Sequence, residues 1–136
     1  MNQDCIFCKV ISGELPSYKL YEDDRVVAFL DLFPATLGHT LVVPRQHSSN
    51  LLEDDEQDAL AMMKAVRHLT PKIKEALGAD GVNITSNIGA SAGQSVFHTH
   101  VHILPRWKDD GRELWKPMED KPNLDALCLT LKSAIS

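Results

Sequence analysis

The chain has no long apolar run. Its most hydrophobic stretches, Val26–Leu30 and residues 41–44, fall far short of the ~20 residues that cross a bilayer. It has no basic excess either. Lys and Arg number 14 against 19 Asp and Glu, a formal net charge of −5. That balance argues against a nucleic-acid polymer as partner, because such surfaces are basic. It leaves a small phosphate ligand open, since a pocket needs only local donors. Cysteine is scarce and odd in number: Cys5, Cys8 and Cys128 make no disulfide framework. The first residues, Met1-Asn2-Gln3-Asp4, lack the positive and apolar regions of an export signal, so a cytoplasmic address with no membrane segment is expected. Internal repeats, low-complexity tracts and linkers are missing as well. At 136 residues, 43% apolar and 24% charged, the chain is expected to form a single domain over 1–136.

Periodicity places the elements. Residues 5–12 read as two helical turns closed by Gly13. Residues 18–22 and 25–31 are β-rich runs split by Asp23-Asp24, which predicts a hairpin. Residues 39–44 form a further strand stopped by Pro44. From 54 to 77, apolar residues recur at Leu60, Met63, Val66, Leu69, Ile73 and Leu77. Those intervals mark one helix face, and Pro71 is expected to kink or break the helix near Thr70. Strands over 81–87 and 97–104 flank a glycine-containing loop over 89–93, and 123–135 reads as an amphipathic helix. Strands with segregated helices favour an α+β class with an antiparallel sheet.

What the chain does have is histidine. Three of its six fall within five residues, at His98, His100 and His102. In a regular strand they share one face, while Thr99, Val101 and Ile103 share the other. Three readings follow. The histidines form a solvated or internally bonded set. Or they hold a catalytic metal, although His98 and His102 lie ~13 Å apart along a straight strand, a strained fit for one ion. Or a neutral imidazole acts as nucleophile toward phosphorus, with phosphate donors from Asn87, Gln94, Ser95 and the backbone around Gly93.

His98-Thr99-His100-Val101-His102-Ile103-Leu104 resembles the signature of the histidine triad (HIT) superfamily, with Thr99 at a usually apolar place. Ile6-Phe7-Cys8-Lys9-Val10-Ile11, Ala28-Phe29-Leu30-Asp31, Gly38-His39-Thr40-Leu41-Val42-Val43-Pro44 and residues 87–94 extend the likeness. It covers about residues 5–106, is closest to the bacterial-type nucleotide-binding branch, and leaves the 107–136 segment undiagnosed, with Trp107 and Trp115 as candidates to border the site. The resemblance implies a HIT-like fold: about five antiparallel strands, a long packing helix and short terminal helices, assembled as a homodimer through that helix and a sheet edge. It implies a hydrolase for purine nucleoside phosphoramidates or dinucleoside polyphosphates, working through a nucleotidyl-His100 intermediate that releases a nucleoside monophosphate. His98 would hold the His100 ring through its carbonyl, His102 would contact the phosphate or bridging atom, and Ser95 the leaving group. Asn87, Gly93, Gln94 and Val96 would line the phosphates, Asp31 would bind the ribose, and Ile6, Phe7, Val10, Phe29 and Leu32 would sandwich the purine. A nucleotide-binding regulatory module and a metal-dependent hydrolase using the three histidines are the rival readings.

Cys5-Ile6-Phe7-Cys8 is by itself a redox pair, half a zinc site or two ordinary thiols. Some members of the family hold a structural zinc with such a pair and two histidines, which implies Cys5, Cys8, His47 and His98 here. No organic cofactor is implied. His39 is expected to support the triad behind His98, His68 to be a solvated surface residue, and Cys128 to be a small buried hydrophobe.

Overall fold

Turn and cap chemistry sets the ends of most elements. A computed structural model describes residues 2–135. In it α1 (Ile6–Ser12) starts where the Cys5 sulfur accepts the Cys8 N–H and stops at Gly13 in the left-handed region. Asp23 then turns the chain, its Oδ1 accepting the Arg25 and Val26 N–H groups, between β1 (Lys19–Glu22) and β2 (Val26–Leu30). The chain continues through β3 (Thr40–Pro44), α2 (Glu56–Leu77), β4 (Gly81–Thr85), a single 3-10 turn (Ala90–Ala92), β5 (Val101–Arg106) and α3 (Leu124–Ile135). The strands form one five-stranded sheet in the order β1-β2-β3-β5-β4, with every neighbour antiparallel. The expected α+β architecture is therefore present.

Period-two alternation divides the sheet's side chains between two cores. Val26, Ala28, Val42, Val101 and Ile103 face α2 and pack on Met62, Ala65, Val66 and Leu69. Val27, Phe29, Leu41 and Val43 face α1 and pack on Phe7, Val10 and Ile11. The buried face of α2 is rotated from the expected one. Met62 and Ala65 point inward, while Leu60 and Met63 are 56% and 47% exposed. Nor does Pro71 break α2, which runs unbroken to Leu77. Both Pro71 and Arg67, whose carbonyl loses its donor, are exposed, so water can satisfy it. Gly38, at φ +82°, takes a left-handed conformation that favours glycine, and a Cβ there would also press on the Leu77 side chain.

Two prolines sit inside strands. Pro44 pairs with Val26 and Pro105 with Val82, but β3 and β5 meet only over Thr40–Val42 and Val101–Ile103. Each proline thus lies where its strand has one neighbour left, the position a strand proline tolerates.

The triad strand is shorter at its front than expected. It begins at Val101, so His98 and His100 lie ahead of it and do not share a regular strand face with His102. The Thr99 N–H goes to the Ser48 carbonyl at 2.8 Å, outside the sheet ladder. Beyond the sheet, α3 forms as expected, but no residue of it is buried and residues 111–135 are all exposed. Cys128 is therefore exposed within this chain, against expectation. His68 is exposed as expected. No helix among the described residues is long and apolar enough to cross a membrane.

Candidate active site

The hydrogen bonds around the histidines assign each ring a tautomer. A backbone carbonyl only accepts, so His98 Nε2–H donates to the Pro44 oxygen at 2.9 Å and its Nδ1 keeps a lone pair. By the same rule His100 Nδ1–H donates to the His98 oxygen at 2.7 Å, leaving the His100 Nε2 lone pair free. A backbone N–H only donates, so Ala35 N–H, 3.0 Å from His39 Nδ1, makes that nitrogen an acceptor. His39 Nε2–H then donates to His102 Nδ1 at 2.8 Å, and His102 keeps Nε2–H as its remaining polar edge. One nucleophilic lone pair and one N–H donor thus lie on neighbouring rings, whose centroids are 4.8 Å apart.

His39 stands behind His102 and beside Asp31, 3.6 Å from its carboxylate. That corrects the expectation that it supports His98. The reason is register: Leu41, two residues after His39, pairs with His102 across β3 and β5.

Burial keeps these rings neutral. It pushes His98 and His102 down to about 4, reinforced by neighbouring imidazoles. It also lowers His39 and His100, the latter against the pull of the His98 carbonyl. The sign for stability follows. A histidine lowered on folding takes up protons more readily when unfolded, so its contribution is whole above 6.5 and is lost as pH falls toward about 4. The melting temperature of chelator-treated protein is expected to be flat above neutrality and to drop through that window. A scan with no drop there would show that these rings are not buried neutral.

Four ligand atoms converge at the start of α1. His98 Nδ1 lies 3.3 Å from Cys5 Sγ, 3.5 Å from Cys8 Sγ and 3.2 Å from His47 Nδ1, and Cys8 Sγ lies 3.5 Å from His47 Nδ1. Zn–N and Zn–S bonds place tetrahedral ligands about 3.3–3.8 Å apart; all four ligand atoms lie within 4.8 Å of one another, so two thiols and two imidazoles, the donor chemistry zinc takes, are gathered around one point. Burial raises the Cys5 thiol, and a cation at the centre would reverse that.

The expected nucleoside residues also come together. Ile6, Phe7, Val10, Phe29, Asp31 and Leu32 line one small cleft of about 80 Å³, joined by Pro16, Ser17, Phe33 and Leu41. Phe7 is buried and meets Phe29 and His100 edge-on, with centroids 5.6 and 5.1 Å away. Asp31 Oδ1 accepts the Phe33 N–H at 2.9 Å, so a turn role and a free second oxygen coexist. Phe33, 89% exposed, was not singled out from the sequence, where nothing but its place after Asp31-Leu32 distinguishes it.

The loop residues divide. The Asn87 amide packs on Gly93, whose φ is +100° and where a Cβ would come within 3.2 Å of it. Gln94 is spent inside the protein. Its oxygen accepts the Gly89 N–H, and its amide donates to the Ser49 and Val96 oxygens. With both amide hydrogens engaged it braces the loop, which corrects its expected phosphate role. Val96 is half-buried, with its carbonyl on that brace. Ser95 lies in an open cavity with Cys5, His47 and Phe97. Ser86, which carried no signal in the sequence, donates to the His100 carbonyl at 2.8 Å.

A folded sheet carrying paired, neutral, oriented imidazoles defines a histidine-based site. Residues 12–109 match the HIT domain, and the chain belongs to that family. It is 52% identical over 110 residues to an uncharacterized HIT-like protein of Borreliella burgdorferi, covering 79% of each chain. It is 44% identical over 110 residues to the adenylylsulfatase HINT3 of Arabidopsis thaliana, covering 81% of this chain and 56% of that protein. Among solved structures, SMU.412c from Streptococcus mutans superposes with a TM-score of 0.91 at 38% identity, covering 100% of this chain and 88% of that one. The histidine triad nucleotide-binding protein from Candida albicans does so at 0.85 and 31% identity, with 97% of each chain covered.

Proposed function

We propose that the chain is a nucleotide hydrolase acting at the α-phosphate of purine nucleoside phosphoramidates or dinucleoside polyphosphates, with His100 as nucleophile. The observation that carries this reading is the His100 ring, held Nδ1–H to the His98 carbonyl at 2.7 Å with Nε2 free. Relatives named for nucleotide binding and for adenylylsulfatase activity support the substrate class.

In the first step the Nε2 lone pair forms an N–P bond as the bond from phosphorus to the leaving atom breaks. The leaving group departs with that electron pair, and an amine takes its proton from solvent. The His98 carbonyl, accepting the Nδ1–H bond, stabilises the positive charge that develops on the ring. His102 contributes a fixed Nε2–H donor toward phosphate or bridging oxygen. It does not act as a proton source, since a neutral ring that lost this proton would become imidazolate. Water then forms the new O–P bond and gives up a proton to solvent, the P–N bond breaks back to the His100 lone pair, and the nucleoside monophosphate leaves. Asp31 takes the ribose hydroxyls through its unengaged oxygen, the apolar cleft takes the base, and Asn87, Ser95 and the amides around Gly93 take phosphate oxygens.

Cys5, Cys8, His47 and His98 would hold zinc, which supplies structural cross-linking of α1 to the segment carrying His98. The chain would work as a homodimer through α2 and the edge strand β4. Exposed Leu60 and Met63 on α2 and Ile84 on β4, at 40% exposure, support that surface.

Incubating the protein with an adenosine phosphoramidate tests the reading. The expected result is monophosphate release and a transient protein species one nucleotidyl mass heavier. Chelator is expected to lower the melting temperature and to leave adduct formation intact below it. Instant loss of activity with chelator in folded protein, and no adduct, would favour the metal-dependent rival. Tight nucleotide binding without turnover would favour the regulatory module.

A further inference from the structure

The carbonyl that holds His100 belongs to the His98–Thr99 peptide, and the other end of that peptide is also engaged. Its N–H, that of Thr99, donates to the Ser48 carbonyl at 2.8 Å, while its C=O accepts from His100 Nδ1 at 2.7 Å. The two bonds run in series through one planar unit, so the first polarises the second. Ser48 O, the peptide and the imidazole thus stand in line, as an acceptor, a transmitter and a nucleophile.

This line is clamped from the side. The Thr99 hydroxyl donates to Asp54 Oδ1 at 2.8 Å, and Thr99 is 1% exposed. Asp54 lies in the segment that leads from Ser48 into α2, one residue before its N-cap Asp55. The other oxygen of Asp54 is buried with no partner among the described residues, and burial raises this carboxyl while the Thr99 and Ser48 hydroxyls oppose the rise. A carboxyl kept in such a place costs stability, and its short bond from the Thr99 hydroxyl ties it to the peptide that holds His100. The same segment braces the glycine loop, because Gln94 Nε2 donates to Ser49 O.

We propose that Asp54 and Thr99 are positioning residues for the nucleophile: their side-chain bond fixes the His98–Thr99 peptide against Ser48, and so fixes the tautomer and direction of the His100 ring. The proposal rests on the reading of His100 as nucleophile. It also accounts for Thr99 standing where an apolar residue would pack equally well, since Val has no hydroxyl to give.

The test uses the full chain with Thr99→Val, Thr99→Ser and Asp54→Ala, read by kinetics on adenosine phosphoramidate and by 15N spectra of the His100 ring without substrate. Thr99→Val and Asp54→Ala are expected to lower kcat about ten- to a hundredfold with little change in KM, and to turn a pure Nδ1–H ring into a mixture of tautomers. Thr99→Ser, which keeps the hydroxyl, is expected to restore both. If Thr99→Val fails to fold because it strands the carboxylate, the Thr99→Val, Asp54→Asn double variant removes that charge and carries the same expectation. An unchanged His100 spectrum in Thr99→Val overturns the proposal, whether or not kcat falls. Failure of the nucleophile reading looks different: the parent protein then forms no His100 adduct, while the ring spectra still report on the clamp.

Discussion

His100→Ala is expected to lower turnover of an adenosine phosphoramidate at least about a thousandfold and to abolish the nucleotidyl adduct. Of the three triad histidines in the parent, His100 is the one with its distal nitrogen unprotonated and unbonded. His98 has spent one nitrogen on Pro44 and turned the other to the cysteines, and His102 has its lone pair on His39. Neither of its triad neighbours is placed to substitute. The variant opens a void beside Phe7, whose ring centroid lies 5.1 Å from that of His100, at a cost of about 1–3 kcal/mol, so a melting curve accompanies the assay. Nucleotide affinity is expected to survive, because Asp31 and the apolar cleft are untouched. Comparable turnover in the variant would remove covalent catalysis from this fold.

Turnover is expected to fall about a hundredfold in His39→Phe, the size of effect seen when one oriented donor is lost from a charge-stabilising site. The ring shape is conserved, so packing changes little. What is lost is the N–H that holds His102 Nδ1 at 2.8 Å, together with the acceptor for the Ala35 N–H, whose cost a melting curve reads separately. Freed of that donor, His102 can place its proton on Nδ1 and turn a lone pair toward the phosphate, where it repels. The 15N spectrum of His102 should then show a tautomer mixture, while His100 keeps its own. A variant that turns over like the parent, with His102 unchanged, would sink the assignment of His39 as the tautomer-setting partner.

How much of this could be read from the sequence depends on whether the signal was local. The β-rich apolar run around Val26–Leu30, the Asp23-Asp24 turn and Gly13 act within a few residues, and those elements formed where expected. That Ile6, Phe7, Val10, Phe29, Asp31 and Leu32 line one cleft was legible only through the resemblance, because they are far apart in the chain. The failures were non-local. The outward turn of Leu60 and Met63 depends on which side of α2 meets the sheet, and a mixed apolar pattern does not resolve one residue of rotation. The start of β5 depends on Ser48, 51 residues away from Thr99, taking a backbone N–H that a strand would otherwise use. The partner of His39 follows from β3–β5 register, and Gln94 as a brace follows from a carbonyl at Ser49. Cys128 was assigned to a core by the amphipathicity of its own helix, which says that a face wants covering and not what covers it.

The short seam between β3 and β5 has a dynamic consequence. Three residue pairs join one leaf of the sheet, β1-β2-β3, to the other, β5-β4. His39 lies on the first leaf, and His102 on the second. The carbonyl of Pro44, left free where the strands part, is taken by a side chain of the segment entering the second leaf. A sub-global opening along this seam would separate the histidine pair before either leaf lost its own hairpin pairing. Amide exchange along Thr40–Val42 therefore reports how often the His39–His102 arrangement is dismantled, in a chain that is otherwise folded.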